Sequence, residues 1–309
     1  MKILVAGGSG FIGSHVADAL SDAKHEVTIF DLRESRYIRG DQQFLKGNIL
    51  DRQAVQEAVS DKDVVYNFAG IPHLDVGIGK PVETVEQNIL GTVISLEASR
   101  LANVKRYIYA SSIYVYSDGG SFYRCSKQAA ELYVEEYQRL HGMSYTILRY
   151  GTVYGPRADD HNSVRRYLKQ ALRDRQITTY GPGDAIREYI HVRDAAQSSV
   201  RALSDEFVNE HVVLTGHHSM RFKNLLDMIR EIVGRDVDIV IHPPDEDNPR
   251  TGASGHFVLT PYSFRPRVAK KLVNNPYIDM GQGLLEVIDE ICAAEYCENT
   301  SLDSEPTGS

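Results

Sequence analysis

Tyr123 and Lys127 are the two side chains of this sequence whose types and spacing best suit proton transfer. They lie four residues apart in a stretch predicted to be helical, so both project from one face of the helix. A lysine ammonium close to a phenol favours its ionisation, and the phenolate can then accept a proton from a substrate hydroxyl. Ser112 ends a preceding apolar strand, where its hydroxyl can hydrogen-bond the reacting oxygen. The spacing alone is common, so its meaning depends on the elements around it.

A glycine-rich segment near the start of the chain has the spacing of a phosphate-binding turn. Gly7, Gly10 and Gly13 occupy its first, fourth and seventh positions, with Phe11 and Ile12 between the last two, and the segment joins a strand to a helix. Glycines allow the sharp turn and let backbone N–H groups approach a pyrophosphate, which the helix N-terminus also stabilises. In this context the segment predicts a dinucleotide site.

Asp31 predicts which dinucleotide binds, because it ends the second apolar strand about 20 residues after the glycines. A carboxylate there can hydrogen-bond the adenosine ribose and would repel a 2′-phosphate, which favours NAD over NADP. Arg33 and Arg36 could instead accept a 2′-phosphate, and Asp31 could be only a helix cap. We predict NAD, with Leu32 and Arg33 beside the adenosine. An oxidised nicotinamide next to Tyr123 would also favour ionisation of the phenol.

Short apolar strands alternate with helical stretches over the first half of the chain, an order typical of a parallel sheet with right-handed crossovers. We predict an α/β fold: a Rossmann-type doubly wound parallel sheet with a smaller α/β C-terminal substrate domain. The site residues would then lie at the carboxyl edge of the sheet. The predicted strands are 2–6, 26–31, 63–69, 107–111 and 144–149, and helices are predicted from about residue 10, within 51–60, and over 83–102 and 123–142.

The sequence changes in character after Tyr150, where Gly- and Pro-marked loops flank a basic helical stretch at 165–175. A strand predicted over 187–192 and a helix over 194–203 would return the chain to the first domain. We predict an NAD-binding domain of residues 1–154 plus about 186–205, and a substrate domain of about 155–185 plus 206–294. Residues 295–309 hold few apolar side chains and are predicted to be a disordered tail.

Composition and charge exclude several classes of protein. The 309 residues include 34 basic and 42 acidic side chains, and a net charge of −8 argues against nucleic acid or an anionic membrane as the main partner. The strand at Lys2 leaves no room for a signal peptide, and no apolar run could span a membrane, so we predict a cytoplasmic protein. Neither the three cysteines nor His211 and His217 show metal-ligand spacing, so no metal is predicted.

Taken together, the motifs resemble the extended short-chain dehydrogenase/reductase family, in particular its NAD-dependent epimerase/dehydratase group, which acts on nucleotide sugars. The resemblance covers nearly the whole chain. It lies in Gly7–Gly13, Asp31, Asn48-Ile49, 67–70, Asn88, 91–92, Ser111-Ser112, 115–116, 123–127, Arg149-Tyr150, 153–157 and 187–194.

This resemblance implies roles for further residues. Asn48 and Ile49 would contact adenine, Tyr150 would lie near the nicotinamide, and Arg187 would hold the substrate diphosphate together with Arg250. Lys127 would also bind the nicotinamide ribose. The other residues implied for the cofactor are Phe68, Ala69, Gly70, Asn88, Ser111 and Val153, and those predicted for the substrate are His73 and Thr152. The family also forms homodimers through helices that correspond to 83–102 and 123–142, so a homodimer is predicted.

Departures from the family pattern favour one reaction. Dehydratases of the family place Asp and Glu directly after the catalytic hydroxyl residue, and its decarboxylases also carry the Glu, whereas this chain has Ile113 and Tyr114. Epimerases need no added acid or base. The sequence therefore predicts an NAD-dependent epimerase of a nucleotide-diphosphate sugar that acts through a transient keto-sugar. A short loop between Tyr116 and Tyr123, and Thr152 in place of the usual asparagine, leave the identity of the sugar open.

Other functions remain open from the sequence. An NAD-dependent nucleotide-sugar reductase or dehydrogenase would use the same catalytic residues, so the sequence separates it poorly from an epimerase. A dehydratase is less favoured for the reason above. A non-catalytic NAD-binding protein is also less favoured, because it would not require Ser112, Tyr123 and Lys127 together.

Overall fold

A computed structural model describes residues 1–72, 78–117, 120–181, 183–217, 219–243 and 269–302 of the chain. Two residues that the sequence predicts for the substrate, His73 and Arg250, lie outside these ranges. Among the helices of the described residues, none combines the length and the apolar composition that a membrane span requires.

Strands and helices alternate along the first half of the chain, as the sequence predicts. The strands are β1 (Lys2–Ala6), β2 (Glu26–Asp31), β3 (Gln42–Lys46), β4 (Val64–Asn67), β5 (Arg106–Ser112), β6 (Tyr145–Tyr150), β7 (Thr152–Tyr154), β8 (Gln176–Tyr180), β9 (Ile186–His191), β10 (Glu210–Leu214), β11 (Ser219–Arg221), β12 (Asp238–His242) and β13 (Lys270–Lys271). The helices are α1 (Phe11–Asp22), α2 (Arg52–Val59), α3 (81–101), α4 (Ser121–His141), α5 (Ser163–Asp174), α6 (Val192–Arg201), α7 (Phe222–Val233) and α8 (Met280–Leu302).

Eight of the described strands form one parallel sheet in the order β13, β10, β6, β5, β4, β1, β2, β3. The order from β3 to β6 is that of a doubly wound dinucleotide-binding fold, which confirms the predicted fold class. Strand β3 was not predicted from the sequence. Its residues, Gln42–Lys46, are mostly polar and partly exposed, because this edge strand pairs only with β2.

Both faces of the large sheet are buried. Ile3 and Val5 of β1 pack with α1 and α6 on one face, whereas Leu4 and Ala6 pack with α2, α3 and α4 on the other. Successive side chains of a strand point to opposite faces, so a strand covered on both sides is apolar throughout. The helices thus leave the carboxyl ends of the strands as the edge where a ligand can bind.

A second, smaller unit has a core of its own. Strands β7, β9 and β11 form one small sheet and β8 pairs with β12, with α5, α7 and α8 packed around them. Buried side chains from all three helices, including Leu168, Phe222 and Leu284, form this core. Helix α6, by contrast, packs beside α1 in the core of the large sheet.

One boundary of the predicted domain division is wrong. Residues 206–294 are predicted to belong to the substrate domain, but β10 and β13 pair in the large sheet. Local composition does not show which sheet a strand joins, because that depends on pairing with distant strands such as β6. Helix α8 reaches Leu302, past the predicted start of the tail at residue 295, and residues 303–309 lie outside the described part. The rest of the division stays a prediction.

Candidate active site

A cavity of about 1380 Å³ opens at the carboxyl ends of β1 to β6 and reaches the second unit. Because these strands are parallel, their carboxyl ends meet at one edge, and residues distant in sequence converge there. The cavity wall contains every described residue that the sequence predicts for the site except Asn88. They are Gly7, Gly10, Phe11, Ile12, Gly13, Asp31, Leu32, Arg33, Asn48, Ile49, Phe68, Ala69, Gly70, Ser111, Ser112, Tyr123, Lys127, Tyr150, Thr152, Val153 and Arg187.

The glycine turn leaves no room for side chains. A Cβ on Gly13 would lie 2.3 Å from the carbonyl oxygen of Gly7, and one on Gly7 would lie 2.6 Å from the backbone nitrogen of Ala69. Gly7 also has a φ of +77°, which glycine adopts without strain. Helix α1 begins at Phe11 with no side-chain cap on Gly10, so its first N–H groups remain available. This arrangement fits a dinucleotide diphosphate.

Asp31 lies at the end of β2, half-buried in the wall of the cavity. Its Oδ2 accepts a hydrogen bond from Ser9 N at 3.0 Å, and its Oδ1 accepts one from Leu32 N at 2.7 Å. A carboxylate has about four acceptor positions, so it can still accept hydrogen bonds from ribose hydroxyls. The hydroxyl oxygen of Ser9 is buried without a hydrogen-bond partner among the described residues, and this polar group also suits a bound ligand.

Asn88 does not line the cavity, contrary to the role that the family resemblance implies. It lies in a π-helical segment of α3, Val85–Leu90, and is almost fully buried. Its Oδ1 accepts from Ile71 N at 2.7 Å, and its Nδ2 donates to Ile71 O at 3.2 Å and to Ser126 Oγ at 2.9 Å. Asn88 therefore holds the loop after β4 against α4, beside Gly70, where a Cβ would lie 2.5 Å from the Asn88 Oδ1.

The three predicted catalytic residues meet at the centre of the cavity. Tyr123 and Lys127 project from the buried face of α4, and Ser112 ends β5. Burial raises the pKa of Tyr123 to about 12, and a hydrogen bond with Ser112 opposes this rise. Such a phenol ionises at neutral pH only when positive charge lies nearby.

Lys127 supplies a positive charge next to this phenol. Its Nζ donates to Ala110 O at 2.8 Å and lies 5.8 Å from the centre of the Tyr123 ring. Burial lowers the pKa of Lys127 to about 8, and the charge of Glu131 opposes this fall. At neutral pH the lysine is therefore still mostly protonated, so the site can stabilise a phenolate.

A buried ion pair that was not predicted from the sequence lies next to these residues. Glu131 lies on the same face of α4 as Tyr123 and Lys127, and its Oε2 is 2.6 Å from Nη2 of Arg149, which is fully buried in β6. A signal was available, because Glu131 follows Lys127 by four residues and would share its helix face.

Side chains from the second unit complete the cavity. Arg187 of β9 stacks on Phe222, with its guanidinium carbon 4.7 Å from the ring centre. Its side chain lines the cavity, where a guanidinium can bind an anion. The cavity is also lined by Asn162, Ser163, Gln170 and Tyr180, which were not predicted as site residues, and by Arg166 of the basic stretch at 165–175.

Ile113 and Tyr114 follow Ser112 in a short 3-10 helix and also line the cavity. The Tyr114 ring stands edge-on to that of Tyr123, with 6.4 Å between their centres. The positions at which the family resemblance implies two carboxylates in dehydratases therefore line the cavity, occupied by an apolar and a phenolic side chain.

Comparison with known proteins establishes the family. Residues 3–215 match the NAD dependent epimerase/dehydratase family, and the chain belongs to it. A UDP-N-acetyl-alpha-D-glucosaminuronate decarboxylase of Bacillus cytotoxicus is 32% identical over 70% of this chain and 74% of that protein. A dTDP-glucose 4,6-dehydratase of Mycolicibacterium smegmatis is 28% identical over 94% of this chain and 92% of that protein. The structure of UDP-glucose 4-epimerase from Thermus thermophilus in complex with NAD superposes on this chain with a TM-score of 0.80 at 25% identity. The superposition covers 95% of this chain and 100% of the Thermus chain.

NAD is the cofactor of this family, and the cavity fits it. The glycine turn can accept a diphosphate, Asp31 can accept hydrogen bonds from a ribose, and Tyr123 and Lys127 line the same cavity. The predicted family and cofactor are thus confirmed, whereas the individual contacts to the cofactor stay predictions.

Proposed function

We propose that the protein is an NAD-dependent epimerase of a nucleotide-diphosphate sugar. The observation that carries the proposal is the cavity centre, where Ser112, Tyr123 and Lys127 converge while Ile113 and Tyr114 replace the carboxylates of dehydratases. This centre has the groups needed to oxidise and re-reduce a hydroxyl. It has no carboxylate at these two positions to assist elimination of water.

The proposed reaction begins when the Tyr123 phenolate accepts the proton of a sugar hydroxyl. Ser112 donates a hydrogen bond to the same oxygen, and the Lys127 ammonium stabilises the phenolate before the proton moves. Bound NAD supplies reversible hydride acceptance at the carbon that carries this hydroxyl. After the keto-sugar has turned its other face to the centre, Tyr123 returns the proton as the inverted alcohol forms.

Arg187 supports a nucleotide diphosphate as the part of the substrate that the second unit binds. Arg187 lines the cavity together with Ser163, the first residue of α5, and a helix N-terminus also favours negative charge. The structurally similar Thermus enzyme is described as a UDP-glucose 4-epimerase, so UDP-sugars are the first candidates.

A reductase or dehydrogenase is the second candidate, because it would use the same three catalytic residues. Similarity to the decarboxylase at 32% identity favours decarboxylation as a third reaction, but this chain has Tyr114 at the position where the family's decarboxylases carry Glu. A dehydratase is disfavoured by the same position, and a non-catalytic NAD-binding protein by the complete catalytic set.

The test is to incubate the holoprotein with UDP-, GDP-, CDP- and dTDP-sugars. NMR would identify the products, and NADH absorbance would report any net redox change. An epimerase gives a sugar of equal mass with no net NADH. Net NADH formation or consumption would replace the proposal with a dehydrogenase or reductase, and loss of water or carbon dioxide would contradict it.

We also propose a homodimer, as in the resembling family. Helices α3 and α4 expose apolar side chains to solvent, which agrees with an interface on this face. These side chains are Val82, Val85, Leu90, Leu101, Leu132, Tyr133 and Leu140. Light scattering after size-exclusion chromatography should give twice the mass of the 309-residue chain, and a monomer at micromolar concentration would contradict the proposal.

A further inference from the structure

Glu131 is a buried carboxylate next to the catalytic centre that the reaction described above does not use. It lies one helical turn after Lys127 and two after Tyr123 on α4, and it is 3% exposed. Its Oε1 accepts from Ser111 Oγ at 2.5 Å and from Arg149 Nε at 3.0 Å, and its Oε2 accepts from Arg149 Nη2 at 2.6 Å. Each carboxylate oxygen is therefore held in place.

The other partners of this network come from three different elements, and each is close in sequence to a residue of the cavity. Ser111 of β5 precedes Ser112, and Arg149 of β6 precedes Tyr150. Arg149 also donates to the hydroxyl of Tyr116 in the 3-10 helix after Ser112. The network thus joins α4, β5, β6 and the 3-10 helix directly behind the catalytic residues.

Stability alone does not account for this pair. Burying two charges has a large desolvation cost, and apolar replacement of such pairs is often neutral or stabilising. The carboxylate does have an electrostatic effect inside the site, because its charge opposes the loss of the Lys127 proton on burial. The titratable and charged groups around Lys127 are Tyr109 of β5, Tyr123 and Glu131 of α4, and, behind Glu131, Arg149 of β6 and Tyr116.

We propose that Glu131, fixed by Arg149 and Ser111, is a positioning residue that keeps the Lys127 ammonium charged beside Tyr123. This role rests on the proposed function, in which Tyr123 acts as a phenolate that a neutral lysine would no longer stabilise. It concerns the charge state of Lys127 and can be tested without knowing the sugar.

The sign of the effect follows from the charges. Burial already lowers the pKa of Lys127 to about 8, and removing the negative charge of Glu131 lowers that pKa further. A charge of opposite sign at short range shifts a pKa by about 1–3 units, so the loss of Glu131 should move the titration of Lys127 down by about one unit or more. A lysine that is mostly charged at neutral pH would then have lost about half of its charge or more.

The experiment measures the titration midpoint of Lys127 in the NAD-bound protein by NMR with ¹³C-labelled lysine. A Lys127→Met variant assigns the signal. We expect the midpoint of Glu131→Gln to be lower than that of the unsubstituted protein by about one pH unit or more. Glu135→Gln is the matched control, because Glu135 lies one turn further along α4 and pairs with His211 at 3.0 Å, and its midpoint should not move.

An unchanged Lys127 midpoint in Glu131→Gln would overturn the proposal, whether or not a substrate is found. If that variant does not fold because Arg149 is left buried and unpaired, the double variant Glu131→Gln/Arg149→Met removes both charges, and the lower midpoint should persist. A midpoint of the original value in the folded double variant would equally overturn it. Once a substrate is known, the alkaline limb of its pH–rate profile should shift with the midpoint, whereas a purely structural role would lower the rate without moving the limb.

Discussion

The two halves of the cavity are built in different ways. In the cofactor half, Gly7 and Gly13 bring backbone atoms so close that a Cβ would lie only 2.6 and 2.3 Å from its neighbours. In the substrate half, side chains such as Arg187 and Tyr180 project from the short strands of the second unit. A surface made of close-packed backbone tolerates few substitutions, whereas one made of side chains changes with each replacement. The hydride chemistry is therefore tied to the fold, and the choice of nucleotide and sugar to exchangeable side chains.

Tyr123 lies where the halves meet, and its substitution should have the largest effect. Tyr123→Phe removes the proton-transfer group but keeps the ring, so we expect kcat to fall by about 10²–10⁴-fold, as for general acid–base groups. NAD affinity and thermal stability should stay unchanged, because burial of the ring is preserved. Tyr133→Phe, on the exposed side of α4, is the control. Turnover of a true substrate by Tyr123→Phe at the original rate would refute the assignment.

Arg187→Ala tests whether the substrate half acts separately from the cofactor half. A hydrogen bond to a charged group contributes about 1.5–3 kcal/mol, so the affinity for UDP should fall by about 10- to 150-fold. NAD affinity should not change, since Arg187 belongs to β9 of the second unit, whereas the glycine turn and Asp31 lie at the ends of strands of the large sheet. Calorimetry with UDP and with NAD measures both, and Arg193→Ala, an arginine that pairs with Glu286 at 3.0 Å, is the control. A weaker affinity for NAD, or an unchanged affinity for UDP, would remove the distinction between the halves.

Gly13→Ala tests the cofactor half in the same way. The added Cβ would lie 2.3 Å from the Gly7 oxygen, so the turn must shift. Overpacking costs about 1–3 kcal/mol, and we expect NAD affinity to fall by about 5- to 150-fold. Gly40→Ala should bind NAD normally, because a Cβ there meets no atom within 4 Å. Normal NAD binding by a folded Gly13→Ala variant would show that the turn does not need its close approach.

The cofactor half was also the easier half to predict. Glycines at fixed spacing and an acid at a strand end follow from backbone geometry, so Gly7, Gly13 and Asp31 could be placed from local sequence. Tyr123 and Lys127 followed from helix periodicity, because residues four apart share a face. These inferences needed no knowledge of how distant segments pack.

Other features depend on contacts between distant segments, and they were not predicted from the sequence. Asn88 faces Ile71 from a π-helical turn, which no composition signal marks. The pairing of Glu131 with Arg149 joins a helix to a strand 18 residues away, and its partners become visible only when the fold is known. The same holds for β10, whose place beside β6 depends on the pairing of whole strands.

Asp31→Asn should have the smallest effect, and it tests how much a side chain contributes in the half that is built from backbone. The amide keeps the size of the carboxylate but loses its charge and part of its acceptor capacity. A hydrogen bond contributes about 0.5–1.5 kcal/mol, so NAD affinity should fall by about 2- to 12-fold. NADP affinity should rise or hold, because the negative charge facing a 2′-phosphate is gone and Arg33 lies in the same wall. The ratio of the two affinities, measured by calorimetry, should therefore move toward NADP. Asp41→Asn is the control, because it disrupts an ion pair with Arg39 in the segment between β2 and β3, and it should leave the ratio unchanged. A variant that keeps the original preference for NAD would show that the backbone alone discriminates between the cofactors.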